Sequence, residues 1–386
     1  MVDGTTIRII RRIADVPRAE WDRLVGAASP FLKWDWLDSL EQTGCVAEKT
    51  GWLPHHLLAE RAGTLIGACP LYLKLHSMGE FVFDYEWADA AHRLGIQYYP
   101  KLLAGVPFTP VTGRRFLTVS GAARGPLVRL MGQALGKIAA DNKLSSVHVN
   151  FCADDEREPL EEAGFISRIG LQFHWQNRGF ASFDDYLSSF RSDRRNKIKR
   201  ERREIERQGI TIRAIEGSEL SRSDLRTMFR LYKGHVDNLY YGRQYLTRDF
   251  FDDLLGRFAD HLCLIFAERE RRVIAGTFNV QDGNVLYGRY WGAFEERPFL
   301  HFNVCYYSAI EHCIRSGRER FEAGAGGSFK QLRGLDPEAT TSMHFFVDST
   351  FAQAVARYLR QERELVQHKR AALLDASQLK RASTDA

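Results

Sequence analysis

The 386-residue chain has no apolar run near the ~18 residues that a bilayer-spanning helix needs, so an integral helical membrane protein is not expected. Its opening residues, MVDGTTIRIIRRI, place Arg11 and Arg12 after a short apolar stretch and lack the apolar core of a secretory leader. A cytoplasmic protein is expected, with contact at the inner membrane surface left open. The six cysteines, Cys45, Cys69, Cys152, Cys263, Cys305 and Cys313, are scattered and contain no C-x-x-C pair. That spacing argues against a disulfide framework and against a zinc motif, and buried free thiols are the plainer reading. No metal is expected. A Ser-His-Asp constellation is not evident, and the phosphate-loop pattern G-x-x-x-x-G-K-[ST] is not met.

What is present is an ordinary soluble composition, 44% hydrophobic and 27% charged, with a formal net charge of +5. The length suggests two domains. Residues 1–178 read as strand, two helices, a hairpin turning at Ala62-Gly63, an irregular aromatic stretch, then strand, helix, strand, helix and strand. Residues 179–386 read as a long polar helix, a strand, two helices, a three-strand meander turning at Glu270-Arg271 and Asp282-Gly283, then helix, strand, loop, strand and a last long helix. Both halves are α/β in order, with helices covering a mixed sheet. A polar tail, LKRASTDA, is expected to lack structure.

Several stretches can carry chemistry. In FEAGAGGSFKQLRG, Gly324, Gly326 and Gly327 permit positive φ, and the backbone N–H groups can form an anion nest that Lys330 and Arg333 complete. The plain alternative is a strand-to-helix turn with solvated cations. In TTSMHFFV, His344 follows Ser342 by two and can act as a base, or sit as a satisfied core histidine. In EFVFDYEWADA, Asp84 and Trp87 stand three apart, a pairing of carboxylate and indole that suits an amine. Tyr99 and Lys101 in YYPKL, and Phe108 in VPFTPVTG, read as pocket lining or as a rigid connector. In GRYWG, strand alternation puts Arg289 and Trp291 on one face and Tyr290 on the other, with Tyr290 a proton donor or plain core. The run Arg191–Arg207 holds nine Lys or Arg against four Asp or Glu, a surplus equal to that of the whole chain. Leu187, Phe190, Ile198 and Ile205 give it one apolar stripe. Three readings stay open: phosphates of tRNA, anionic lipid, or a solvated helix with i,i+4 pairs.

The stretches RSDRRNKIKRERREIERQG, AGTFNVQDGNVLYGRYWG and FEAGAGGSFKQLRG together resemble the acyltransferase lobe of Fem-type proteins, which is GNAT-like. EFVFDYEWADA, YYPKLLAGVPFTPVTGRR, LQFHWQNRGF and RGLDPEATTSMHFF extend the resemblance to the Fem-like peptidoglycan biosynthesis or recognition group across nearly the whole chain. The resemblance implies an α/β (α+β) fold of tandem GNAT-like lobes, each a mixed, mostly antiparallel sheet flanked by helices, meeting at a groove. It implies an N-acyltransferase that moves an acyl or aminoacyl group to an amine by direct attack. The donor would be acyl-CoA, acyl-carrier protein or aminoacyl-tRNA, used as co-substrate with no tightly bound cofactor. The acceptor would be an amine of a cell-envelope precursor, a small molecule or a lipid, a long-chain lipid base included. A monomer is expected, since two lobes can form a groove within one chain. His344, Tyr290 and Asp84 are the catalytic candidates. Gly324, Gly326, Gly327, Lys330 and Arg333 would hold the donor, and Trp87, Tyr99, Lys101, Phe108 and Asn303 the acceptor. The group's pattern implies Glu-His before the loop lysine, where this chain has Ser328 and Phe329, and an acidic residue two after His301, where it has Asn303. In the first half SGAARG is a loose donor loop without the usual glycine spacing. A non-catalytic two-lobe binding protein is the alternative that these departures support.

Overall fold

The computed structural model describes residues 4–380 apart from 28, 120, 122 and 241. In chain order the elements begin with β1 (Thr5–Ile10), α1 (Arg18–Val25), α2 (Trp34–Gln42), β2 (Trp52–Pro54), β3 (His56–Arg61), β4 (Thr64–Cys69) and β5 (Leu71–Lys74). Next come α3 (Tyr85–Arg93), β6 (Lys101–Ala104), β7 (Leu117–Thr118), α4 (Arg124–Asp141), β8 (Ser146–Cys152), α5 (Arg157–Glu162) and β9 (Ile166–Gln176). They are followed by α6 (Phe183–Ser188), α7 (Ser192–Arg207), β10 (Ile210–Glu216), α8 (Arg222–Asp237), α9 (Arg248–Arg257), β11 (Leu262–Arg269), β12 (Arg272–Asp282) and β13 (Val285–Ala293). The chain closes with α10 (Leu300–Phe302), a π turn (Asn303–Tyr307), α11 (Ser308–Arg315), β14 (Arg320–Glu322), β15 (Asp336–Phe346) and α12 (Ser349–Asp375). No helix among the described residues is long and apolar enough to cross a membrane.

Local chemistry sets many of these limits. The β3–β4 turn uses Ala62 and Gly63 at φ 46° and 76°, and the β11–β12 turn uses Glu270 and Arg271 at 52° and 62°. Paired positive φ values match the twist of a two-residue hairpin. Pro70 cannot donate a ladder bond, and the expected second strand of the first hairpin is two strands, β4 and β5, on either side of it. Ser221 caps α8: its hydroxyl accepts from the Asp224 N–H at 3.2 Å while the Asp224 carboxylate accepts from the Ser221 N–H at 3.0 Å. The long polar helix expected after residue 181 is two helices, α6 and α7. Between them Phe190 is fully buried and bridges Leu379, so the chain leaves the helix to bury that ring. Leu379 opens the tail that the sequence left unstructured; residues 381–386, like Ser120 and Ala122 of SGAARG, lie outside the described residues.

Two compact units result, one of Met1–Leu171 with Ala339–His368, the other of Gln172–Glu338 with Lys369–Ala386. In the first unit β1, β3, β4 and β7 form an antiparallel sheet, and β2, β5, β6, β8 and β15 follow in that order in a second. In that second sheet β6 and β8 are parallel, while β2–β5, β5–β6 and β8–β15 are antiparallel. α4 connects β7 to β8 and packs Leu127, Met131 and Leu135 into the core. In the second unit the order is β10, β11, β12, β13, β14 and β9. There β13 and β14 are the parallel pair, joined through α10 and α11, and the other pairs are antiparallel. Each unit therefore contains a mostly antiparallel mixed sheet flanked by helices, with one parallel step followed by an antiparallel closing strand, and the first unit adds the separate antiparallel sheet of β1, β3, β4 and β7. The closing strand of the first unit is β15, from late in the chain, and that of the second is the end of β9, from its first half.

Candidate functional site

The second unit holds a pocket beside β13. β14 pairs with β13 only over Val285–Tyr287, and no further strand pairing on that side of β13 is found among the described residues. A pocket of about 380 Å³, mouth included, opens along the next residues, Gly288–Trp291, against His301, Cys305, Tyr306 and Ala323. A bulge opposite Phe278 and Asn279 inserts Arg289 into β13 as an extra residue. It breaks the alternation expected for GRYWG, and Arg289, Tyr290 and Trp291 all line the pocket. Tyr290 packs its ring at 4.8 Å from that of Tyr232, and Trp291 meets His301 edge-on at 5.1 Å. Burial, with the charges of Arg333, His235 and Lys330, pulls the His301 imidazole down to about 4, so it is neutral near pH 7.

The glycine loop follows β14. Gly324, Gly326 and Gly327 all have positive φ, at 77°, 72° and 83°, and a Cβ on Gly324 would stand 3.2 Å from the Gly288 carbonyl oxygen. Lys330 is buried, and its ammonium donates to the Gly324 and Ala325 carbonyls at 2.6 and 3.3 Å. Burial lowers it to about 8. Arg333, also buried, lies 3.5 Å over the Phe302 ring, 3.5 Å from the Glu201 carboxylate, and donates to the Phe329 carbonyl at 2.9 Å. Both cations close the loop on its own scaffold. Asn303 turns inward, donating to the Glu201 and Phe299 carbonyls at 3.1 and 2.9 Å, and holds the π turn that carries Cys305 and Tyr306 to the pocket.

The first unit gathers the remaining sequence candidates into one buried polar network. The Lys101 ammonium on β6 donates to Ser77 at 2.8 Å, to Glu80 at 2.9 Å and to Asp84, which also accepts from the Tyr98 hydroxyl at 2.7 Å. Tyr99 shares a hydrogen bond with Ser77 at 2.8 Å. Burial raises the Glu80 carboxyl to about 7, against the pull of Lys101. Burial would also raise Asp84, but the Lys101 charge and hydrogen bond outweigh it and hold the group below its ordinary value. Asp84 Oδ1 is buried without a hydrogen-bond partner. Beyond Tyr98 lies a histidine pair: His344 and His148 stand opposite each other on β15 and β8, with Nδ1 atoms 2.6 Å apart. Their Nε2 atoms meet Ser342 and Ser146, each at 2.9 Å. Burial holds both imidazoles well below the usual value, so both rings are neutral and one donates its Nδ1–H to the other. Trp87 meets His344 edge-on at 4.8 Å and carries the Arg168 guanidinium 4.7 Å over its own ring. The carboxylate and the indole that the sequence offered to an external amine thus already hold Lys101 and Arg168. Phe108 packs on Trp52 at 5.1 Å, whose ring lies 3.8 Å from the Lys74 ammonium.

The structure brings Asp84, Trp87, Tyr99, Lys101 and His344 together in the first unit and sets Tyr290 beside the glycine loop in the second. Sequence reasoning missed Glu80, His148 and His301. His148 had a legible signal: Ser146-Val147-His148 repeats the spacing of Ser342-Met343-His344 on a second apolar strand.

A family model described as FemAB-like, peptidoglycan biosynthesis/recognition, matches residues 12–381. No curated protein sequence matches the chain. Among solved structures, FemX shares the fold with a TM-score of 0.54 at 12% identity, over 88% of this chain and 98% of FemX. L-PGS from Bacillus licheniformis does so at 0.51 and 10% identity, over 90% and 96% of the two chains. The C-terminal domain of an Agrobacterium fabrum protein provisionally named lysylphosphatidylglycerol synthetase does so at 0.51 and 11%, over 87% and 94%. At these identities the likeness is one of fold.

Proposed function

The chain belongs to the FemAB-like family of peptidoglycan biosynthesis and recognition, and from that premise we propose that it is a GNAT-like N-acyltransferase working by direct attack. The observation that carries this is the pocket along Gly288–Trp291 of β13, just beyond the residues where that strand pairs with β14. An extended acyl donor can lie in this pocket along the strand, with its carbonyl beside Tyr290 and His301. The amine nitrogen of the acceptor attacks the donor carbonyl carbon, the C–S or C–O bond to the carrier breaks, and an amide forms. The amine loses one proton and the departing thiol or hydroxyl gains one. Tyr290 is the donor of that proton, and neutral His301 is a hydrogen-bond partner for the reacting groups. In the first unit, Asp84 already holds Lys101 and the Tyr98 hydroxyl, and with His344 and His148 it belongs to a buried network that supports the fold of that unit.

The donor is acyl-CoA, acyl-carrier protein or aminoacyl-tRNA, and the acceptor an amine of a cell-envelope precursor or of a lipid. The name of the Agrobacterium relative, which joins an amino acid to a phospholipid, supports an aminoacyl group and a lipid as the classes to try first. The test is to incubate the protein with each donor class and a panel of amines and to follow amide product by mass spectrometry. Product should form with one donor class, and Tyr290→Phe should lower kcat by about 10²–10⁴-fold with KM little changed. Donor binding in thermal-shift measurements without product from any pair would overturn the enzyme in favour of a binding protein.

A further inference from the structure

We propose that Glu216, Cys263 and His312 form a binding site for a divalent transition metal, zinc by its donor set, at one end of the second unit's sheet. Glu216 ends β10 and stands opposite Cys263 of β11 in the antiparallel register, so both side chains leave the sheet on the same face. His312 comes to that face from α11. Its Nε2 is 3.5 Å from a Glu216 carboxylate oxygen and 3.8 Å from the Cys263 sulfur, and all three atoms lie within 4.8 Å of one another. A tetrahedron built from ordinary zinc–sulfur, zinc–nitrogen and zinc–oxygen bonds has edges of about 3.4–3.6 Å. Small side-chain adjustments bring the three atoms to those separations.

The surroundings fit a metal as well as the ligands do. A thiolate and a carboxylate balance a dication, and the imidazole binds neutral. On binding, the Cys263 S–H bond breaks, its proton goes to solvent and the sulfur lone pair goes to the metal. Gln281 orients the carboxylate by donating to it at 2.7 Å. Arg318, whose Nη2 is 3.8 Å from Glu216, donates to the Gln281 side-chain oxygen Oε1 at 2.7 Å and to the Gly283 backbone carbonyl at 2.8 Å, which gives it partners outside the ligand triangle. Such outer partners fix ligand geometry in metal sites. Cys263 and His312 are buried, whereas the Glu216 side chain is 41% exposed, leaving an entry path and a fourth position for water. The cysteine spacing that argued against zinc says nothing here, because the ligands come from three separate elements. Bound metal would tie the edge strand β10 and its neighbour to α11, and this does not depend on the acyltransferase reading.

The experiment is cobalt titration of the full chain after chelator treatment. One equivalent of Co²⁺ should bind with a near-ultraviolet sulfur-to-cobalt charge-transfer band, Zn²⁺ should displace it, and Zn²⁺ should raise the melting temperature. Glu216→Ala, at a partly exposed position, should weaken Co²⁺ binding at least about tenfold, and Cys263→Ser should abolish the band. Absence of the band in the unsubstituted chain, or unchanged affinity in Glu216→Ala, overturns the proposal. Both readouts stand even where Cys263→Ser fails to fold.

Discussion

Lys101 is fully buried and answers two buried carboxylates at once. Removing one member of such a group leaves charge without a counter-ion in a medium that cannot solvate it. Lys101→Ala is therefore expected to cost about 3–5 kcal/mol, read by urea denaturation. The triple change Lys101→Met, Glu80→Gln, Asp84→Asn, which removes the charges together, should cost less. Lys330 makes a separate case through pH. Its folded value of about 8 lies below the ~10.4 of an unfolded lysine, so between these values the unfolded chain binds more protons. The penalty for the buried charge is complete below pH 8 and is relieved as pH rises through the window. The stability of the native chain relative to Lys330→Met should therefore rise between pH 7 and 10, on the order of 2–3 kcal/mol. A flat difference would mean that the ammonium is solvated. At this scale the sequence offered candidate residues but not what they touch. Lys330 and Arg333 read as ligands of an anion or as solvated cations, and only the fold reveals the carbonyls, the ring and the Glu201 carboxylate that hold them.

Elements were easier to read than their joints. The apolar stripe of Leu187, Phe190, Ile198 and Ile205 is buried as the spacing implies. The same face also buries Arg194 and Glu201, because Arg194 donates to the Leu332 carbonyl at 2.6 Å and Glu201 receives Arg333 and the Tyr307 hydroxyl. A polar pattern cannot announce partners more than a hundred residues away. β13 shows the opposite case, a constraint written in one residue. A Cβ on Gly292 would fall 2.0 Å from the Leu231 carbonyl oxygen, because α8 lies directly on that strand. Neither atom is the end of a flexible side chain, so relief requires moving the helix. Gly292→Ala should lower the melting temperature sharply in circular dichroism. It should also disturb Tyr290, which packs on Tyr232 of the same helix. A melting temperature equal to that of the native chain would show that α8 and β13 are farther apart than described.

At the scale of the whole chain, the α/β class, most of the run of elements and the family were legible, because periodicity, turn residues and motifs are local; the aromatic stretch read as irregular holds α3. The partner of each closing strand was not. LQFHWQ and TTSMHFF are apolar runs that name no neighbour, and the register of β15 against β8 is fixed by Val147, Val149 and Met343 in a core they build only when together. The natural cut after residue 178 therefore removes β15 and α12 from a fragment 1–178. That fragment would expose the edge of β8, leave His148 without His344, and strip Phe346, Phe351, Val355 and Leu359 from the cluster around Trp87 and Tyr98. The fragment should aggregate or melt without a cooperative transition in circular dichroism. Co-expression with a peptide covering 339–368 should restore a cooperative transition, since those residues complete the first unit. A fragment 1–178 that unfolds cooperatively by itself would show that the late segment is an accessory to the first unit rather than part of its core.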